Sequence, residues 1–168
     1  MTTPWTEFFA TSICSKNEPA QAQFKRWVVQ RVIIGVGTDL TEIVRMEAIL
    51  RKPSGARFLA KILTEEERKD FGRRFGPVAG AWSKRAAEFA AGRFAVKEAV
   101  AKAFGCGIGS LLGFHDIHIS ADAAGRPVCR VRAEALARIG LAERETAVHI
   151  SITHTEATAG AFAVVERI

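Results

Sequence analysis

Apolar residues recur along this chain at two different spacings, and the change from one to the other falls near residue 110. "RVIIGVGTD" is a compact, β-branched run bounded by glycines, which predicts a buried strand ending near Asp39. Leu40, Ile43, Met46, Ile49 and Leu50 then follow at helical spacing until the "KPSG" cluster, Lys52 to Gly55, breaks the element. "RFLAKIL" leads to Thr64 with Glu67 three residues on, a capping-box pattern that starts another short helix, which Gly76 and Pro77 stop. From about Ala79 to Phe104 the alanine-rich sequence predicts one long helix, interrupted in propensity only by Gly92 and ended by "GCGIG". Its apolar residues are spread around much of the circumference, so it should bury more than one face.

Beyond that point the period drops to two. "FHDIHIS" and "RPVCRVR" flank the turn "ADAAG" and predict a hairpin; a short helix, "AEALARIG", follows. "TAVHISIT" and "TAGAFAVVE" predict a second strand pair joined by "HTEA". Helices grouped ahead of antiparallel strands define the α+β class. Residues 1–30 show no sustained period and are taken as an N-terminal extension, with the folded domain over 31–168.

A chain of 168 residues, 48% hydrophobic and 25% charged, suits one globular domain with a sizeable core. Lys and Arg outnumber Asp and Glu by 24 to 18, for a net charge of +6 and a pI near 9.7, which favours anionic partners. Nucleic acid is the weaker reading of that charge, because no aromatic platforms are interleaved with the basic residues. Cys14, Cys106 and Cys129 are widely spaced and form no CxxC, so neither a disulfide framework nor a zinc site is indicated and a reducing cytoplasm is expected. The most apolar early stretch, "WVVQRVIIGVG", is broken by Gln30 and Arg31 and falls short of a membrane span.

Two carboxylates stand out. Asp39 closes a strand, where side chains are often presented to a cleft, although it could equally serve as the N-cap of the next helix. Glycines on either side of Val36 allow a second backbone or a phosphate to come close. Glu98 lies on the long helix four residues before Lys102, a spacing that also suits an ordinary surface ion pair. Arg93 and Lys97 point elsewhere on that helix. A carboxylate at a strand end, a second on a helix and a lysine one turn away are the groups that Mg²⁺-dependent phosphate chemistry needs, since Mg²⁺ takes one or two carboxylates and fills its other positions with water and phosphate oxygens. His115 and His118, three apart on a predicted strand, would face opposite ways and share no metal; His154 stands at a loop edge, open to ligands. Arg45, opposite the apolar positions of its helix, belongs to a solvated face or docks an acidic protein.

Three motifs occur in one order: "IIGVGTDLTEIVRME", "RFAVKEAVAKAFGCGIG" and "VHISITHTEATAGAFAVVE". Together with "KILTEEE" and "GRPVCRV" they resemble the holo-[acyl-carrier-protein] synthase family, the single-domain class of 4′-phosphopantetheinyl transferases, over roughly Val32 to Glu166. The resemblance implies that family's fold, an antiparallel sheet packed on a long central helix. It also implies transfer of 4′-phosphopantetheine from coenzyme A to a serine of apo-acyl carrier protein, with release of adenosine 3′,5′-bisphosphate, in fatty acid biosynthesis. Asp39 matches the aspartate of the family's GxD motif and Glu98 the glutamate of its KEAxxK motif, which together hold magnesium. Lys102 matches the second lysine of KEAxxK and would meet the coenzyme A phosphates; Arg93 and His154 match further coenzyme A contacts, and Arg45 an arginine that docks the acidic carrier protein. Glu98, directly or through a water, is the nearest candidate base for the serine proton. A homotrimer with the coenzyme A pocket shared between chains is the implied assembly. Thr153 replaces a common serine before the histidine, and residues 1–30 have no counterpart. The competing reading is a non-catalytic module that binds coenzyme A or carrier protein without transferring anything.

Overall fold

Glycines decide how closely the first strand and the long helix meet. The structure, a computed structural model, describes residues 31–76 and 83–168. The proposed extension 1–30 and the first residues of the predicted long helix, 79–82, lie outside that range. In chain order the elements are β1 (Val32–Glu42), α1 (Ile43–Leu50), α2 (Gly55–Ile62), α3 (Glu65–Phe75), α4 (Lys84–Ala103), β2 (Ile117–Ala121), β3 (Pro127–Val131), α5 (Ala133–Ile139), β4 (Thr146–His154) and β5 (Thr158–Arg167). Short 3₁₀ turns, Phe114–Asp116 and Glu143–Glu145, precede β2 and β4.

β5 is the centre of a three-stranded antiparallel sheet ordered β1-β5-β4, and β2 pairs β3 in a separate hairpin. On β1, successive side chains alternate between faces, so Gly35, Gly37, Asp39 and Thr41 share one side. A Cβ on Gly35 would lie 2.1 Å from the Ala103 carbonyl oxygen, and one on Gly37 would lie 2.0 Å from that of Ala99. The second backbone that these glycines admit is therefore that of α4. At its other end α4 passes β4, where Gly92 faces the Ile152 side chain. The helix thus crosses the sheet from β4 to β1 over about 30 Å.

α4 is buried on nearly all sides, as its composition predicts. Ala86, Ala87, Ala90 and Ala91 join Ile43, Met46, Leu50, Leu59, Ile62 and Phe71 in one apolar cluster under the short helices. Ala95, Val96, Ala99, Val100, Ala101 and Ala103 belong to a second cluster with the sheet, the hairpin and α5. Small side chains let three elements approach one helix. Ser83 caps its start by accepting from the Ala86 amide, and Gly105 and Gly107 turn the chain away at its end through positive φ of 71° and 63°.

Three predicted boundaries shift. β1 runs on to Glu42, because Leu40, Thr41 and Glu42 pair with Gly160, Ala159 and Thr158, and α1 starts only at Ile43. Asp39 lies inside a strand and caps no helix; the residue before α1 is Glu42. His115 sits in a 3₁₀ turn and meets the Ala60 carbonyl at 2.8 Å, while His118, on β2, is half-buried against the Thr64 hydroxyl. The Thr64–Glu67 capping box forms as expected.

Candidate active site

Asp39 reaches α4 because it is the next residue on the β1 face already pinned to that helix by Gly35 and Gly37. Its Oδ1 accepts from Lys102 Nζ at 2.8 Å and its Oδ2 from the Thr41 hydroxyl at 3.2 Å. The same ammonium donates to the Thr38 carbonyl at 3.0 Å, so Lys102 ties the helix to the strand at the mouth of the site. The i,i+4 pair between Glu98 and Lys102 does not form; Lys102 is held by Asp39 instead. Among the described residues Glu98 has neither a hydrogen bond nor an ion pair.

A cleft of about 380 Å³ opens beside these groups. Asp39, Thr41, Glu42, Arg45 and Glu98 form its polar wall. Met46, Ile49, Phe58 and Phe94 form its apolar wall, with the Phe58 and Phe94 rings 6.2 Å apart. Burial holds the Glu98 carboxyl above its ordinary value, the Asp39 charge pushes it further in the same direction, and Lys102 opposes both. Two carboxylates that repel across a cleft are a donor set for a hard divalent cation. Among the described residues no cluster of three or more His, Cys, Asp or Glu side chains is present. Two carboxylates with room for water and phosphate fit Mg²⁺, which completes its shell with those oxygens. Zinc, held by three or four protein ligands, does not fit.

The structure brings together Asp39, Glu98, Lys102 and Arg45, and it does not bring Arg93 or His154 to the same cleft. Arg93 precedes Glu98 by five residues, about 140° round the helix. Its guanidinium lies 4.5 Å over the Phe89 ring, and its Nε is buried without a hydrogen-bond partner among the described residues. Burial lowers the Arg93 pKa, while the Glu67 and Asp70 charges oppose that. His154 is the exposed last residue of β4. Sequence reasoning missed Lys97, which is fully buried and bonded to Glu67 at 2.6 Å. A lysine among alanines and valines on a helix with little exposed surface was the available signal.

The fold thus sets a strand-borne and a helix-borne carboxylate on the wall of one cleft. The chain belongs to the 4′-phosphopantetheinyl transferase superfamily, whose ACPS family matches residues 35–162. It is 44% identical over 137 residues to the holo-[acyl-carrier-protein] synthase of Bacillus velezensis, covering 82% of this chain and 98% of that protein. The crystal structure of a holo-(acyl-carrier-protein) synthase from Bacillus anthracis in complex with CoA (3′,5′-ADP) matches with a TM-score of 0.64 at 36% identity, over 81% of this chain and 98% of that one. The Helicobacter pylori synthase in complex with coenzyme A matches with a TM-score of 0.63 at 28% identity, over 77% and 98%. These likenesses bear out the expected family and its α+β fold.

Proposed function

We propose that this chain transfers the 4′-phosphopantetheine arm of coenzyme A to a serine hydroxyl of an apo-acyl carrier protein. The observation that carries the reading is the convergence of Asp39 and Glu98 on one cleft with Lys102 beside them, in a chain of this family. The serine oxygen bonds to the β-phosphorus, the bond from that phosphorus to the bridging oxygen breaks, and adenosine 3′,5′-bisphosphate leaves. Asp39 and Glu98 would hold Mg²⁺, which supplies charge neutralisation to the phosphoryl oxygens when bound. Lys102, half-exposed at the rim, adds a second positive charge where negative charge develops. Glu98, directly or through a water, would be the nearest base for the serine proton.

Arg45 is exposed on α1 at the cleft, and its charge would suit an acidic carrier protein. Arg93 and His154 lie off this cleft, so on this reading they would meet coenzyme A beyond it, along the ligand's length or from a second copy of the chain. A homotrimer with shared pockets accommodates that. The sheet face turned away from α4 supports it, because Val36, Leu40 and Phe162 lie there 51%, 76% and 45% exposed. Among the described residues no helix is long and apolar enough to cross a membrane, and Cys106 and Cys129 are free thiols, in keeping with a cytoplasmic enzyme of fatty acid biosynthesis.

The test is direct: incubate the protein with coenzyme A, Mg²⁺ and apo-acyl carrier protein, and measure the carrier's mass. A phosphopantetheine gain, lost in Asp39→Ala and Glu98→Ala while both stay folded, is the expected result. Tight coenzyme A binding with no mass gain under any metal condition would instead mark a non-catalytic binding module.

A further inference from the structure

Lys97 immediately precedes Glu98 and takes part in none of the steps above, yet it is as deeply buried as any residue of the described chain. Its ammonium donates to Glu67 Oε2 at 2.6 Å, to the Ile62 carbonyl at 2.7 Å and to the Phe114 carbonyl at 2.9 Å. Three N–H bonds meet three acceptors. Glu67 is equally satisfied: Oε2 also accepts from the Thr64 amide and Oε1 from the Ile119 amide, each at 2.8 Å. The network joins the end of α2, the start of α3, the middle of α4, the 3₁₀ turn and β2. Burial pulls the Lys97 pKa down and Glu67 opposes it.

A buried ion pair is a poor device for stability alone, since an apolar pair of similar volume often folds as well or better. A directional network does something an apolar pair cannot, which is to fix the rotation of the element that carries it. Consecutive residues of a helix point about 100° apart, so an anchored Lys97 sets the direction of Glu98. On the sheet side, α4 meets β1 backbone to backbone, Ala99 and Ala103 against glycines. The one side-chain hydrogen-bond tie there among the described residues is the exposed Lys102 ammonium on Asp39 and the Thr38 carbonyl, whereas the Lys97 network grips the helix from inside the core. Phe94, one turn before Glu98 in the cleft wall, stacks on Phe114, whose carbonyl is one of the three acceptors.

We propose that Lys97 and Glu67 form a positioning pair for the transfer reaction, holding α4 at the rotation that sets the Glu98 carboxylate across the cleft from Asp39. This inference rests on the phosphopantetheine-transfer reading above. Removing one partner strands a buried charge, so the informative variant is the double substitution Lys97→Met with Glu67→Leu, which removes both charges and keeps the volume.

Three quantities are measured on wild type and variant: the midpoint of thermal unfolding, the kcat and KM of transfer, and the dissociation constant for Mg²⁺ by calorimetry with coenzyme A present. The expected result is a protein that still folds but with a lowered midpoint, because the Ile62 and Phe114 carbonyls and the Thr64 and Ile119 amides lose their side-chain partners. Well below that midpoint, kcat is lowered by about tenfold or more and Mg²⁺ binding is weakened by about tenfold. Wild-type kcat and Mg²⁺ affinity in the folded double variant overturn the proposal, as does a loss of activity that only follows a loss of fold and recovers on cooling. Should the double variant not fold, Glu67→Gln is read in the same way, since it removes the charge opposite Lys97 and sets an NH2 group against the Ile119 amide donor, which loosens the network. Weakened Mg²⁺ binding with an intact fold supports the pair, and unchanged binding overturns it. If wild type transfers nothing, the functional reading is what fails, and the Mg²⁺ titration still reports on the geometry.

Discussion

Gly37→Ala adds one methyl group at the tightest place in the fold. Its Cβ would lie 2.0 Å from the Ala99 carbonyl oxygen and 2.6 Å from the Ala103 amide nitrogen. Both are backbone atoms of α4, so no side chain can rotate aside, and an ordinary contact of 3.4 Å requires the helix to retreat by about 1.4 Å. Overpacking of a close-packed core costs typically 1–3 kcal/mol, and a clash against two backbones belongs at the top of that range. About 3 kcal/mol corresponds to a fall of roughly 10 °C in Tm for a domain of this size. The displacement also carries Glu98 away from Asp39, and a misplacement near 1 Å is enough to cost about 10²-fold in rate. Thermal unfolding followed by circular dichroism, with transfer measured by mass spectrometry well below Tm, separates the two effects. Gly72→Ala is the control: it lies in α3 with nothing among the described residues within 4 Å of the added Cβ, and it should stabilise by roughly 0.5–1 kcal/mol. A Gly37→Ala protein with wild-type Tm and wild-type transfer would refute both the closeness of β1 to α4 and its role in placing the carboxylates.

Glu98→Gln should abolish most transfer, by about 10²-fold or more, equivalent to about 2.7 kcal/mol of transition-state stabilisation, and yet raise Tm in EDTA at neutral pH. The sign follows from linkage: the folded-state pKa of Glu98 is raised, so the folded protein holds that proton more tightly and loses stability as pH rises from the unfolded value through the folded one. The Tm gain of the variant should therefore vanish near pH 4 and grow toward neutrality; a gain that is the same at both pH values counts against the raised pKa. Cys129 is a test of burial, with its thiol pushed up to about 12 chiefly by desolvation despite the nearby Lys97 ammonium. Peptide mapping after iodoacetamide treatment of the folded protein at pH 8 should find Cys129 unmodified until the chain is unfolded, whereas rapid native labelling would show that the hairpin opens.

The elements with a strong period were legible from the chain: α4, the β2–β3 hairpin, and the β4–β5 pair. Where the reading slipped, a contact distant in sequence outweighed a local signal. Leu40 has helical spacing to Ile43, yet pairing with Gly160 on β5 keeps it in β1, and this long-range ladder turns Asp39 from a possible helix cap into a strand residue aimed at α4. The glycines of "GVGTD" announced a close approach without saying whether to a phosphate or a backbone, and only the position of Ala99 and Ala103 decides that. Glu98 and Lys102 were visible as candidates, but the spacing permits a pair without requiring one, and Asp39, 63 residues away from Lys102, takes the ammonium.

That exchange is what gives the site its character. A helix buried nearly all round can carry charge only where a partner or a cleft awaits it. On the inner stretch of α4, Lys97 is satisfied by Glu67 and two carbonyls, and Lys102 by Asp39 and the Thr38 carbonyl. Glu98 alone of these three has no partner among the described residues, and it faces the cleft with its proton affinity raised. Satisfying the two lysines elsewhere leaves one carboxylate free on a rigid helix, which is the condition a ligand for a divalent cation must meet before substrate arrives.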